Sequence, residues 1–99
     1  MKTPIYEQLY ALSNKDRWVI AKIIAKRGIT TKEEIMHDLG LPYERIGPYG
    51  ADWQRVRRNL KMLAEANLIV EESRTPPEAH RYYIHKQGWS EMMESLGIL

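Results

Sequence analysis

The sequence contains no cysteine. That excludes disulfides, a thiolate nucleophile and any cysteine-ligated metal, and it fits a reducing compartment. No apolar run approaches the roughly 20 residues that a bilayer-spanning helix needs. The opening Met1-Lys2-Thr3-Pro4 is not followed by an apolar segment of signal-peptide type. The chain is therefore expected to be soluble and cytoplasmic, with no membrane contact. Repeats and low-complexity tracts are also lacking. With 99 residues, 43% of them hydrophobic, the chain has material for one modest core and no room for a second domain.

Signs of catalysis are equally scarce. His37, His80 and His85 are scattered, with no pair at the i, i+4 spacing of a helical metal site. His37-Asp38 could meet His80 or His85 only after folding, and exposed polar histidines are the simpler reading. Ser13, Ser73, Ser90 and Ser95 lie in no nucleophile motif. Gly47-Pro48-Tyr49-Gly50 lacks the Gly-Lys-Ser/Thr ending of a phosphate loop. Neither an enzyme nor a cofactor is expected.

Excess charge is small too, a formal +2, but it is unevenly placed. Between Ala51 and Met62 stand Arg55, Arg57, Arg58 and Lys61 against Asp52 alone. After Lys86 come only Glu91 and Glu94. A local concentration of cations is the footprint of a nucleic-acid partner.

Punctuation in the chain predicts its elements. Thr3 with Pro4 can open a helix running to about Leu12. Ser13, with Asp16 three residues on, can cap a second, which carries Trp18, Ile20, Ala21, Ile23 and Ile24 and stops at Gly28. Thr31-Lys32-Glu33-Glu34 is a capping box for a short third helix that buries Ile35, Met36 and Leu39 and ends at Gly40. A fourth helix is expected from Ala51 to Ala66, with Trp53, Val56, Leu60, Leu63 and Asn67 on one stripe. Asn67 suits the left-handed exit. Leu68-Ile69-Val70 and Arg81 to His85 read as two strands of a hairpin, interrupted by Pro76-Pro77. A last helix runs from about Gly88 to Leu96. The fold class is mainly α with a small antiparallel β-hairpin. A trihelical core followed by a hairpin is the winged helix-turn-helix arrangement: one domain over residues 1–99, with core and wing at 12–85 and flanking helices at 1–12 and 88–99.

Several segments then resemble winged helix-turn-helix regulators of the arsenic-repressor (ArsR) and multiple-antibiotic-resistance-repressor (MarR) type. Leu12-Ser13, Asp16-Arg17 and Val19-Ile20 resemble the opening of their first core helix. Ile29 to Ile35 followed by Leu39-Gly40-Leu41 resembles the second. Val56 to Leu63, then Glu65 to Ile69, resembles the recognition helix and its exit, Arg81-Tyr82-Tyr83 the returning wing strand, and Lys86-Gln87-Gly88-Trp89 the start of a closing helix. Those families join their second and third core helices by a turn of ~3–4 residues. Here Pro42 to Gly50 intervene, and Tyr43-Glu44-Arg45-Ile46 can add a helical turn.

The resemblance implies a sequence-specific double-stranded DNA-binding protein and transcriptional regulator. With Val56 inward, Gln54, Arg58 and Lys61 face outward, with Arg55 and Arg57 on the flanks. Arg bonds guanine bidentately, Gln bonds adenine, and Lys neutralises phosphate. A solvated helix face is the competing reading of such a run; the element order favours the groove. Arg74, His80 and Arg81 border the wing tip, which would reach backbone or minor groove. Tyr43, Arg45 and Tyr49 are further candidate contacts from the insertion. Trp53, Trp18 and Trp89 are expected to pack. A homodimer is expected through the first and last helices, from Ile5, Leu9 and Leu12 with Tyr6 and Tyr10, and from Trp89, Met92, Met93 and Leu96, extended by Ile98 and Leu99. The alternative function is a winged helix used as a protein–protein interaction module, which would more often carry an apolar patch where this chain is basic.

Overall fold

The computed structural model describes residues 3–41 and 50–97. Tyr43, Arg45, Tyr49 and the expected turn after Pro42 lie outside the described residues, as do Ile98 and Leu99. The described chain is mainly helical: α1 (Ile5–Ser13), α2 (Lys15–Arg27), β1 (Ile29–Thr30), α3 (Lys32–Asp38), α4 (Ala51–Glu65), β2 (Ile69–Glu72), β3 (Arg81–Ile84) and α5 (Lys86–Ser95). The three strands form one antiparallel sheet in the order β1-β3-β2.

Most boundaries follow the local chemistry. Thr31 Oγ1 accepts from the Glu34 N–H at 3.2 Å, and Glu34 Oε1 accepts from the Thr31 N–H at 3.0 Å, closing the expected capping box. Gly28 takes φ +84° and donates its N–H to Ile24 O at 2.9 Å, ending α2. Asn67, at φ 56°, makes the left-handed exit from α4.

Other details differ from expectation, among them the exposure of Trp18, which was expected to pack. Pro4 stands at the N-cap of α1, and Thr3 caps nothing; its hydroxyl instead accepts from Asn67 Nδ2. Ser13 closes α1, its Oγ donating to Tyr10 O, so the cap of α2 passes to Asn14, whose Oδ1 accepts from the Arg17 N–H at 3.1 Å. Asn14 is extended and a good N-cap, which leaves Asp16 inside the first turn. The sheet also gains β1. Two residues are too short to show alternation, yet Ile29 faces Tyr83 and Thr30 faces Tyr82.

The core is one cluster. Ile20 and Ile24 of α2, Ile35 and Met36 of α3, Val56, Leu60 and Leu63 of α4, Leu68, Ile69, Tyr82 and Met92 are all buried. The apolar stripe of α4 thus faces inward from Val56 to Leu63, with Trp53 half-buried at its start.

Polar side chains fasten the periphery. Gln8 is buried and donates Nε2 to Ala66 O and Gly88 O, both at 3.2 Å, tying α1 to the end of α4 and to α5. Arg17, 7% exposed, donates to Ala11 O at 2.7 Å, Tyr10 O at 3.4 Å and Asn59 Oδ1 at 3.4 Å. These bonds replace the hydration that burial removes from its charge. α5 starts at Lys86 because His85 Nδ1 accepts from the Gly88 N–H at 2.8 Å and caps the first turn. Its apolar face turns into its own chain: Met92 is buried, and Trp89 Nε1 donates to Leu68 O at 2.8 Å. On α1, Ile5 and Leu12 pack against the core, whereas Tyr6, Leu9 and Tyr10 remain exposed.

Candidate nucleic-acid interface

Because Val56, Leu60 and Leu63 bury one side of α4, the helical period turns Gln54, Arg57, Arg58 and Lys61 the other way. These four, with Leu60 beneath them and Glu71 and Tyr82 from the sheet opposite, line a groove of about 420 Å³. Arg57, Arg58 and Lys61 are exposed and Gln54 is half-buried. Four of the residues singled out in the sequence are therefore brought to one surface.

Arg55 is not among them. Its guanidinium binds Asp52 Oδ1 at 2.7 Å, and it lines a separate depression with Asp16, Leu39 and Asn59. Among the described residues, neither Arg57 nor Arg58 forms an ion pair with a carboxylate. Lys61 approaches Glu65 at 4.0 Å, both ends well exposed, a contact too solvated to hold the ammonium. The groove therefore offers two guanidinium groups and one ammonium beside a single lining carboxylate, Glu71.

The hairpin is different. Arg74 is clasped by Glu72 and by Glu78, the latter at 3.4 Å, and its buried Nε has no partner. His80 Nδ1 lies 3.6 Å from Glu71. Arg81 is exposed and stands across from Glu72 in the strand register. Glu78 donates its N–H to Thr75 O, closing the turn around Pro76-Pro77. Of the three hairpin residues singled out in the sequence, Arg81 is the one that is exposed and makes no ion pair among the described residues.

Three groups at this surface were not visible as site residues in the sequence. Glu71 places a carboxylate inside the basic groove and accepts from Tyr82 Oη at 3.0 Å. Burial, then the Glu71 charge, pushes the Tyr82 hydroxyl far above its ordinary range, so it stays a donor. Lys32, at the start of α3, holds its ammonium 3.8 Å from the centroid of the Trp53 ring. Its pKa is lowered, chiefly by burial and then by Arg57, with Glu71 opposing. Trp53 thus packs as expected and also carries a cation on its face. The signal for Lys32 lay 21 positions away in Trp53, a separation that no helical spacing links.

No group of three or more His, Asp or Glu side chains able to hold a metal occurs among the described residues. Among the same residues no helix is long and apolar enough to cross a membrane. The chain matches no protein-family profile and no curated protein.

Proposed function

We propose that this chain is a winged helix-turn-helix protein that binds double-stranded DNA sequence-specifically and regulates transcription in the cytoplasm. In this reading α2, α3 and α4 are the trihelical core, α4 is the recognition helix in the major groove, and the β2–β3 hairpin is the wing on the flanking backbone or minor groove. The observation that carries it is the groove in which Gln54, Arg57, Arg58 and Lys61 meet the sheet, with both guanidinium groups unpaired among the described residues. Base edges in a major groove offer guanine acceptors to Arg and a donor–acceptor pair to Gln; phosphates take the remaining cations. A protein-binding use of the same fold would call for an apolar face on α4, and this face is polar and cationic.

Selection of bound sites from random duplex DNA, followed by titration of the selected site, tests the proposal. Arg58→Ala should relax the preference at one position and weaken binding by ~1–3 kcal/mol if the side chain reads a base. No selected sequence, and no shift of any duplex at low salt, would overturn the reading.

A further inference from the structure

A second groove, of about 600 Å³, runs between α1 and the C-terminal half of α4. Buried Ala11 lies at its floor, Tyr6, Tyr10 and Met62 wall it, and the exposed carboxylates of Glu7 and Glu65 flank it. Tyr6 is 69% and Tyr10 65% exposed, an open aromatic pair of the kind that interfaces cover. The same chain presents the converse surface. Trp18 of α2 is 46% exposed instead of packed, and Lys15 and Lys22, three residues before and four after it, are its neighbours on the helix surface. One surface is an aromatic depression between two carboxylates; the other is an aromatic ring between two ammonium groups.

We propose that a second copy of this chain occupies the groove, its Trp18 entering between Tyr6 and Tyr10 and its Lys15 and Lys22 meeting Glu7 and Glu65. The contact is made twice, as a two-fold pair requires. The Arg17 guanidinium lies 5.7 Å from the Tyr10 ring centroid, so α2 runs alongside the groove of its own chain, with Trp18 about 100° round the helix from Arg17. The pairing keeps α1 as the interface expected from the sequence. It replaces α5, whose Trp89 and Met92 are already used within the chain, by α2. It does not rest on the DNA reading, because Met62 and Glu65 do not line the basic groove.

Sedimentation equilibrium of the full chain over a rising concentration series tests it. Wild type should reach twice the monomer mass. Trp18→Ala, the pair Glu7→Lys with Glu65→Lys, and the pair Lys15→Glu with Lys22→Glu should each sediment as monomers with unchanged circular dichroism. An equimolar mixture of the two charge-reversed variants should recover a heterodimer, because both contacts are then complementary again. A wild-type monomer throughout the series would overturn the proposal. So would variants that dimerise like wild type, or a mixture of reversed variants that stays monomeric. A monomeric chain whose tyrosine fluorescence is saturably quenched by benzyltrimethylammonium would also overturn it, assigning the groove to small organic cations.

Discussion

Replacing Gly88 by alanine isolates how closely α5 crosses the end of α4. A Cβ built at Gly88 would lie 1.6 Å from Asn67 O, 2.8 Å from Asn67 C and 3.1 Å from His85 Nδ1. The first of these is backbone, so no rotamer change can relieve it. To regain the 3.0 Å below which real Cβ contacts essentially do not occur, α5 and the Asn67 peptide must separate by about 1.4 Å. That opening stretches three things at once: the Gln8 bond to Gly88 O, the Gln8 bond to Ala66 O, and the Met92 contact with the core. Overpacking costs ~1–3 kcal/mol where side chains can adjust. A clash with fixed backbone that also loosens two buried hydrogen bonds should reach ~3 kcal/mol or more. For a domain of this size that is a fall in Tm of roughly 12–24 °C. Thermal and urea unfolding of Gly88→Ala measures it, with Ser90→Ala, exposed on the same helix, as the control expected within ~0.5 kcal/mol. Alanine is the better helix former, so propensity alone predicts a gain of up to ~1 kcal/mol. A Gly88→Ala protein as stable as wild type, or more stable, would refute the close approach.

The other predictions concern the β2–β3 hairpin, the acid limit and the α3 cap. On the proposed DNA-binding reading, Arg81→Ala should lower the log–log salt slope of binding by ~0.9, and Arg74→Ala should change it little, since Glu72 and Glu78 already hold Arg74; equal slopes for Arg81→Ala and wild type would remove the hairpin cation from the proposed interface. The Arg27 hydrogen bond, aided by His37 and opposed by burial, lowers Asp38 from 3.8 to about 2. A depressed folded-state pKa stabilises above the unfolded value and is lost as pH falls, so the Arg27–Asp38 contribution should be complete above pH ~4 and vanish towards pH 2. Asp38→Asn should therefore flatten the stability profile in that window and nowhere else. Thr31→Ala removes the hydroxyl that caps α3 and should cost ~1 kcal/mol in urea unfolding; no change would mean that Glu34 alone satisfies the turn.

Local sequence determined the elements whose signals are local. The Thr31–Glu34 box, Gly28, Gly40 and Asn67 set helix ends by chemistry within four residues, and each end falls where that chemistry places it. The stripe Val56, Leu60, Leu63 also determined which way Gln54, Arg57, Arg58 and Lys61 face, because burying one side of a helix orients the other. Tertiary structure decided what depends on contacts far apart in the chain. β1 exists because β3 returns beside Ile29 and Thr30, 50 or more positions later. Arg74 and Arg81 look alike in the sequence, but the hairpin closes two carboxylates around the first and leaves the second to solvent. Glu71 and Lys32 join the basic surface only when sheet and α3 pack against α4. The exposure of Trp18 was likewise undetermined by periodicity, since a tryptophan on the flank of an apolar stripe packs or protrudes according to which neighbour arrives there. In α2 the inward positions went to Arg17, Ile20, Ala21 and Ile24, and Trp18 was left outside them.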